Sequence, residues 1–138
     1  MAATFNLRIV TPDGQVLNDH VEFVIMPGEA GELGALANHA PLIASLKTGV
    51  LRYTKEGFRK KVAVSGGFAE VAANKVVVLA DTAEPGEAID LQRAVAAKER
   101  AEKRLATPSG DIDLLRAEHA LRKAMNRIAA ADKEDRRA

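Results

Sequence analysis

The hydrophobic rhythm of this chain changes once, at Ala83-Glu84-Pro85-Gly86. Before that point apolar and polar residues tend to alternate, the period of a strand with one buried face. After it apolar residues recur at three and four positions, the period of an amphipathic helix. FNLRIV alternates and ends at the turn signal TPDG, VEFVIM is followed by Pro-Gly, and VLRYT by Lys-Glu-Gly. FRKKVAV runs into Ser-Gly-Gly, and FAEVA reaches KVVVLA through Ala-Asn. Short strands punctuated in this way predict an antiparallel β-sandwich or flattened barrel over residues 1–84. GELGALANHAP, richer in Gly, Asn and Pro, is expected to be a loop-rich excursion.

From Ala88 onward Gly and Pro occur only in TPSGD. That predicts an antiparallel two-helix hairpin within residues 85–138, with helices at about 90–106 and 112–131. The fold class is therefore α+β. Pro108 and Gly110 are expected to stop the first helix, and Ser109 or Asp111 to cap the second. Residues 132–138, DKEDRRA, read as a frayed polar tail. The second helix carries a seam of Leu114, Ala117, Leu121, Ala124, Ile128 and Ala131, and Leu91, Ala94, Lys98, Ala101 and Leu105 match it more weakly. Half of the second seam is alanine, which lets helices approach closely but buries little area at roughly 25 cal/mol per Å². Such a hairpin is marginal on its own and is a candidate moving part.

Composition removes several function classes. The 138 residues carry a net charge of +1, which argues against bulk attraction to nucleic acid or anionic lipid. Four Phe, one Tyr and no Trp leave little for base stacking. No cysteine is present, so disulfides, thiol catalysis and cysteine-held metal are out. Three scattered histidines, His20, His39 and His119, make a poor metal set, and no nucleophile, base and oxyanion group can be assembled for catalysis. No P-loop lysine motif exists, and Ser65-Gly66-Gly67 precedes a strand rather than a helix, which favours a turn or bulge. No stretch reaches the roughly 20 apolar residues that span a bilayer, and the N-terminus lacks the pattern of a signal peptide. Arg59-Lys60-Lys61 is read as an exposed face or an edge guard.

One hexapeptide pattern repeats. IDLQRA at 89–94 recurs as IDLLRA at 112–117, and Arg93, Ala97, Arg100 and Arg104 recur 23 residues later as Arg116, Ala120, Lys123 and Arg127. Asp90 and Asp113 stand at helix starts, where a carboxylate accepts backbone N–H bonds and favours the dipole. Arg93 and Arg116 oppose that dipole, and an Asp–Arg pair at i, i+3 offsets the cost. Spacings of seven and four put each basic trio on one helical stripe. The stripes are either half of an anion site or a solvated face neutralised by Asp90, Glu99, Glu102 and Glu118.

GELGALANHAPLIASLKTGVLR, VSGGFAEV with VVVLADTAE, and IDLQRA followed by ALRKAMNRI together resemble the epsilon subunit of bacterial, bacillus-like F-type ATP synthases, over essentially the whole chain. The resemblance implies a non-catalytic rotor subunit. Its sandwich grips the gamma subunit and touches the c-ring, with Glu32 and His39 matching the c-ring-facing region. The hairpin is compact and permissive, or extended and inhibitory for ATP hydrolysis against the alpha and beta subunits. In some members the compact hairpin binds ATP without hydrolysing it. Matched by position, the resemblance implies ATP contacts at Glu84, Ile89, Asp90, Arg93, Ala94, Arg100, Lys123 and Arg127. Lys123 stands where the family has arginine, which keeps the charge and loses the bidentate fork. Arg116, Arg122, Lys123 and Arg127 are the inhibitory contacts expected of the extended form. Whether magnesium accompanies ATP stays open. The implied location is peripheral, on the cytoplasmic face of the bacterial plasma membrane. The alternatives are a rotor linker with no ATP site and, weaker, a nucleic-acid-binding hairpin.

Overall fold

The computed structural model describes residues 3–107, 113–131 and 135–136, the last two in backbone only. Ten strands form two packed sheets, and two helices follow. The strands are β1 Phe5–Thr11, β2 Gly14–Val21, β3 Phe23–Gly28, β4 Gly31–Leu36, β5 Leu42–Ser45, β6 Gly49–Lys55, β7 Phe58–Ser65, β8 Phe68–Ala72, β9 Lys75–Leu79 and β10 Thr82–Pro85. The first sheet runs β2-β1-β9-β8-β5 and the second β10-β7-β6-β3-β4. All pairs are antiparallel except β1 with β9, which is parallel, with Leu7 beside Val76. Strict alternation sends Leu7 and Ile9, Val24 and Met26, Leu51 and Tyr53, Val62 and Val64, and Val76 and Val78 into one buried layer between the sheets.

The six strands expected from the sequence are present, and four more accompany them. GELGAL is strand β4, not loop, because Gly31–Leu36 pairs with all of β3. The turn expected at Pro27-Gly28 lies two residues later. Pro27 stays in the strand opposite Glu32, and its carbonyl accepts the Lys47 N–H at 2.9 Å, a bond that does not need the proline's missing donor. Ala73 and Asn74 both take positive φ, 50° and 58°, which is the two-residue hairpin turn joining β8 to β9. Gly66 and Gly67, at φ 67° and 107°, make Ser65-Gly66-Gly67 a turn. β7 is not an edge, since β10 and the short strand β11, Asp135–Arg136, lie along its far side. The frayed tail expected at 132–138 therefore contributes two backbone-paired residues.

Helix α1 is Leu91–Ala106 and helix α2 is Leu114–Ala130. The expected stop at Pro108 and Gly110 and the caps at Ser109 or Asp111 lie outside the described residues; the cap observed for α2 is Asp113. The helices meet along alanine: Ala94, Ala101, Ala117 and Ala124 are buried, while Leu91 and Leu114 at the seam's ends are half exposed. The hairpin lies across β7 and β6. Its backbone comes close at Gly86, where a Cβ would stand 2.2 Å from the Ala130 carbonyl oxygen, so only glycine fits.

Lys55 on β6 reaches across to Asp19 on β2, Nζ to Oδ2 at 2.5 Å, and ties the two sheets at their margin. That hydrogen bond holds the Asp19 carboxyl below its ordinary 3.8 and pushes the Lys55 ammonium above 10.5. A depressed carboxylate stabilises the fold above its unfolded value and ceases to do so as pH falls through the folded one. Asp19→Asn should therefore lower the urea midpoint at pH 7, and the gap from the parent should close below about pH 3.8, as denaturation at the two pH values would show.

Candidate functional site

Asp90 and Asp113 occupy the N-cap positions of α1 and α2 with the same geometry, φ/ψ of −80°/100° and −81°/102°. Each accepts the backbone N–H three residues on, Arg93 at 3.2 Å and Arg116 at 3.1 Å. The repeated spelling is thus one capping device used twice. The arginine side chains do not close the i, i+3 ion pair: among the described residues Arg93 and Arg116 form no salt bridge. Their guanidiniums are exposed to solvent.

A cleft of about 460 Å³ opens between the hairpin and the second sheet. Ala97 of α1 and Ala120, Lys123, Ala124, Asn126 and Arg127 of α2 form its hairpin wall. Thr48, Ala63, Val64, Ser65, Thr82, Ala83 and Glu84 form the sandwich wall. The register explains the second set. Thr82 lies opposite Ser65 and Glu84 opposite Ala63, so these four side chains share the outer face while Val62 and Val64 fill the core. Of the residues expected to hold a nucleotide, Glu84, Lys123 and Arg127 line the cleft. Arg93 and Arg100 do not, but they flank Ala97 on the same helical stripe, four residues before and three after it. Ala94 is buried against α2, and Ile89 closes the 3-10 turn Gly86–Ala88, half-buried.

Two adjacent residues of α2 make polar contacts to the sandwich. Arg127 Nε donates to Glu84 Oε1 at 2.8 Å and its Nη2 to Oε2 at 3.3 Å, a bidentate, partly buried pair. Asn126 Nδ2 donates to the carbonyls of Gly49 at 2.8 Å and Val64 at 3.3 Å, two residues that are themselves β6–β7 partners. Sequence reasoning missed Asn126. The available signal was an asparagine in mid-helix, where its poor helix propensity calls for another role.

Of the expected inhibitory contacts, Arg116, Arg122 and Lys123 are exposed and Arg127 is held by Glu84. Glu32 on β4 pairs with Arg52 Nη2 at 2.6 Å, and His39 Nδ1 lies 2.7 Å from the Ala40 carbonyl in the turn after β4. Glu32 also borders a second hollow of about 500 Å³ with Glu29, Leu33, Leu42 and Ile43. Away from the hairpin, Phe68 and Leu79 are cross-strand partners on the outer face of the first sheet, 57% and 54% exposed, near the edge residue Ile43 at 71%. The three lie on one face of the sheet and form one exposed apolar group. Among the described residues no helix is long and apolar enough to cross a membrane, and no cluster of three His, Asp or Glu side chains could hold a metal.

Comparison with known proteins fits both halves. The family model of the ATP synthase delta/epsilon chain β-sandwich domain matches residues 4–86, and that of the delta/epsilon chain long α-helix domain matches residues 87–132. The chain is 61% identical over 131 residues to the ATP synthase epsilon chain of Desulfitobacterium hafniense, covering 95% of this chain and 98% of that one. It is 48% identical over 128 residues to the ATP synthase epsilon chain of Bacillus licheniformis, covering 93% and 98%. Among solved structures it superposes on a chain of the Euglena gracilis mitochondrial ATP synthase OSCP/F1/c-ring assembly with a TM-score of 0.79 at 27% identity, covering 96% and 84%. A chain from the Tetrahymena thermophila mitochondrial ATP synthase central stalk and c-ring shares the fold alone, with a TM-score of 0.57 at 15% identity.

Asn126 gives a direct test of how the hairpin is held. Asn126→Ala should cost the docked state about 1 kcal/mol by removing the amide that joins α2 to two sheet carbonyls. Amide exchange of α2 should accelerate several-fold while that of β1, β6 and β9 stays at the parent's rate.

Proposed function

The chain belongs to the ATP synthase delta/epsilon family, as an epsilon subunit of the F-type central stalk, and from that premise we propose that its hairpin is a nucleotide-responsive brake on the enzyme. The carrying observation is the docking itself. A hairpin with an alanine seam rests on the sandwich through two adjacent polar residues, beside a cleft with cations on the moving wall. To leave, the hairpin must give up these two contacts and the short β11–β7 pairing, and charge waits where a polyanion would favour its staying.

ATP is the ligand in this reading. Lys123 and Arg127 supply positive charge inside the cleft, and Arg93 and Arg100 extend it along α1. Glu84 holds the Arg127 guanidinium through two nitrogens and so fixes the direction of its remaining donors. A ligand that binds the docked form alone stabilises it by RT ln(1 + [ATP]/Kd), about 2.7 kcal/mol at a hundred times Kd. When ATP is scarce the hairpin opens, and Arg116, Arg122, Lys123 and Arg127 meet acidic surface on the alpha and beta subunits.

The sandwich is the fixed half. Its exposed Phe68, Leu79 and Ile43 form an apolar grip for the gamma subunit. Glu32 and His39, at the β4 end, face the c-ring. The subunit then sits peripherally on the cytoplasmic face of the bacterial membrane. A rotor linker with no nucleotide site is the second reading. Its support is that Glu84 already neutralises Arg127 and that both repeat aspartates are committed as helix caps.

Titrating the isolated chain with ATP and GTP by heteronuclear NMR separates the two. Saturable shifts at Asp90, Arg93 and Arg127, much weaker with GTP, are expected; silence at millimolar ATP leaves the linker. In the assembled enzyme, Arg122→Ala with Lys123→Ala should relieve inhibition of ATP hydrolysis at low ATP, and unchanged inhibition counts against the brake. Phe68→Asp should reduce capture of the gamma subunit by the sandwich at least tenfold, read as pull-down yield across a concentration series.

A further inference from the structure

A ligand shifts a conformational equilibrium only by the difference between its affinities for the two states. Residues of the hairpin travel with it. A nucleotide held by α1 and α2 alone would favour a folded hairpin, but not the hairpin's place on the sandwich. Coupling to docking requires a contact from the wall that stays behind. The polar side chains on that wall of the cleft are Thr48, Ser65, Thr82 and Glu84. Glu84 is an acceptor, already joined to Arg127, and its charge repels phosphate. Donors must come from the hydroxyls.

We propose that the paired hydroxyls of Ser65 and Thr82 are the sandwich half of the anion site and bind a phosphate oxygen of the nucleotide whose other side is held by Lys123 and Arg127. This rests on the reading of the cleft as a nucleotide site. Ser65 and Thr82 are register partners on β7 and β10, and their side-chain oxygens lie 2.7 Å apart. The pair holds two O–H donors, and the bond between the two hydroxyls uses one of them. Among the described residues neither hydroxyl has a further hydrogen bond, so one donor remains for a group in the cleft. Both side chains stand on rigid, hydrogen-bonded strands, so little freedom is lost when that donor is used. The hairpin brings Lys123 and Arg127 to the same cleft only when docked. An oxyanion spanning the two walls therefore fixes the hairpin in place, and the site is incomplete when the hairpin is away. The adjacent Gly66 and Gly67 play no part, since they form a turn into strand β8 and not the start of a helix.

The test uses the full chain, with ATP as the probe and affinity read by calorimetry. Thr82→Val keeps the shape and removes the hydroxyl; Thr82→Ser keeps the hydroxyl and removes a methyl. Thr82→Val with Ser65→Ala should weaken ATP binding roughly tenfold or more, the scale of a hydrogen bond to a charged oxygen. Thr82→Ser should bind as the parent does. ATP should slow exchange of the Asn126 side-chain amide in the parent and not in the double variant, a readout of docking that a general loss of stability would not produce. If the double variant fails to fold, the single Thr82→Val and Thr82→Ser variants decide by the same comparison. Parent and double variant binding ATP equally overturns the hydroxyl pair and leaves the nucleotide reading standing. A parent that binds no ATP overturns both.

Discussion

Asn126 and Arg127 are neighbours in α2, yet they reach chemically different partners on the sandwich. Arg127 meets a carboxylate side chain, a contact that salt screens and that another anion can contest. Asn126 meets two backbone carbonyls, which neither titrate nor move without the sheet. The amide fixes where the hairpin sits, because its acceptors belong to one rung of the β6–β7 ladder. The ion pair sits beside the cleft, where its strength depends on what else is there. Two side chains of different chemistry thus hold α2 to the sandwich.

The cleft is a product of that docking and not of either half. Its sandwich wall exists because β10 continues the second sheet up to Pro85 and places Thr82 and Glu84 on the outer face. Its hairpin wall exists because small side chains, Ala97, Ala120 and Ala124, leave room where larger ones would close the gap. Ala124 does two things at once: it is buried in the seam between α1 and α2, and it borders the space beside Lys123 and Arg127.

Much of this was legible in the sequence, for physical reasons that also mark where legibility ended. The change of period at Ala83-Glu84-Pro85-Gly86 gave the two kinds of structure, since strands such as FNLRIV have one dry face and helices such as α2 have one dry stripe. Strands β2, β4, β5 and β10 were missed. GQVLNDHV is mostly polar because it is a sheet edge, and GELGAL carries two glycines that hide its pairing with β3. Proline in β3 misled because the structure uses its carbonyl and asks nothing of its nitrogen. Spacing put Lys123 and Arg127 on one helical stripe, while Glu84 was implied only by the family resemblance. Ser65, Thr82 and Asn126 could not be named from the sequence, because their roles come from register and docking, which join residues 17 to 77 positions apart.

The parallel pairing of β1 with β9 governs when each half can form during synthesis. The first strand made stays without its inner neighbour until the chain has grown past Leu79, so the sandwich closes late and as a unit. The hairpin, built from local contacts, is completed only after that platform exists. At the ribosome the helices therefore fold onto a finished surface, as the last step of assembly.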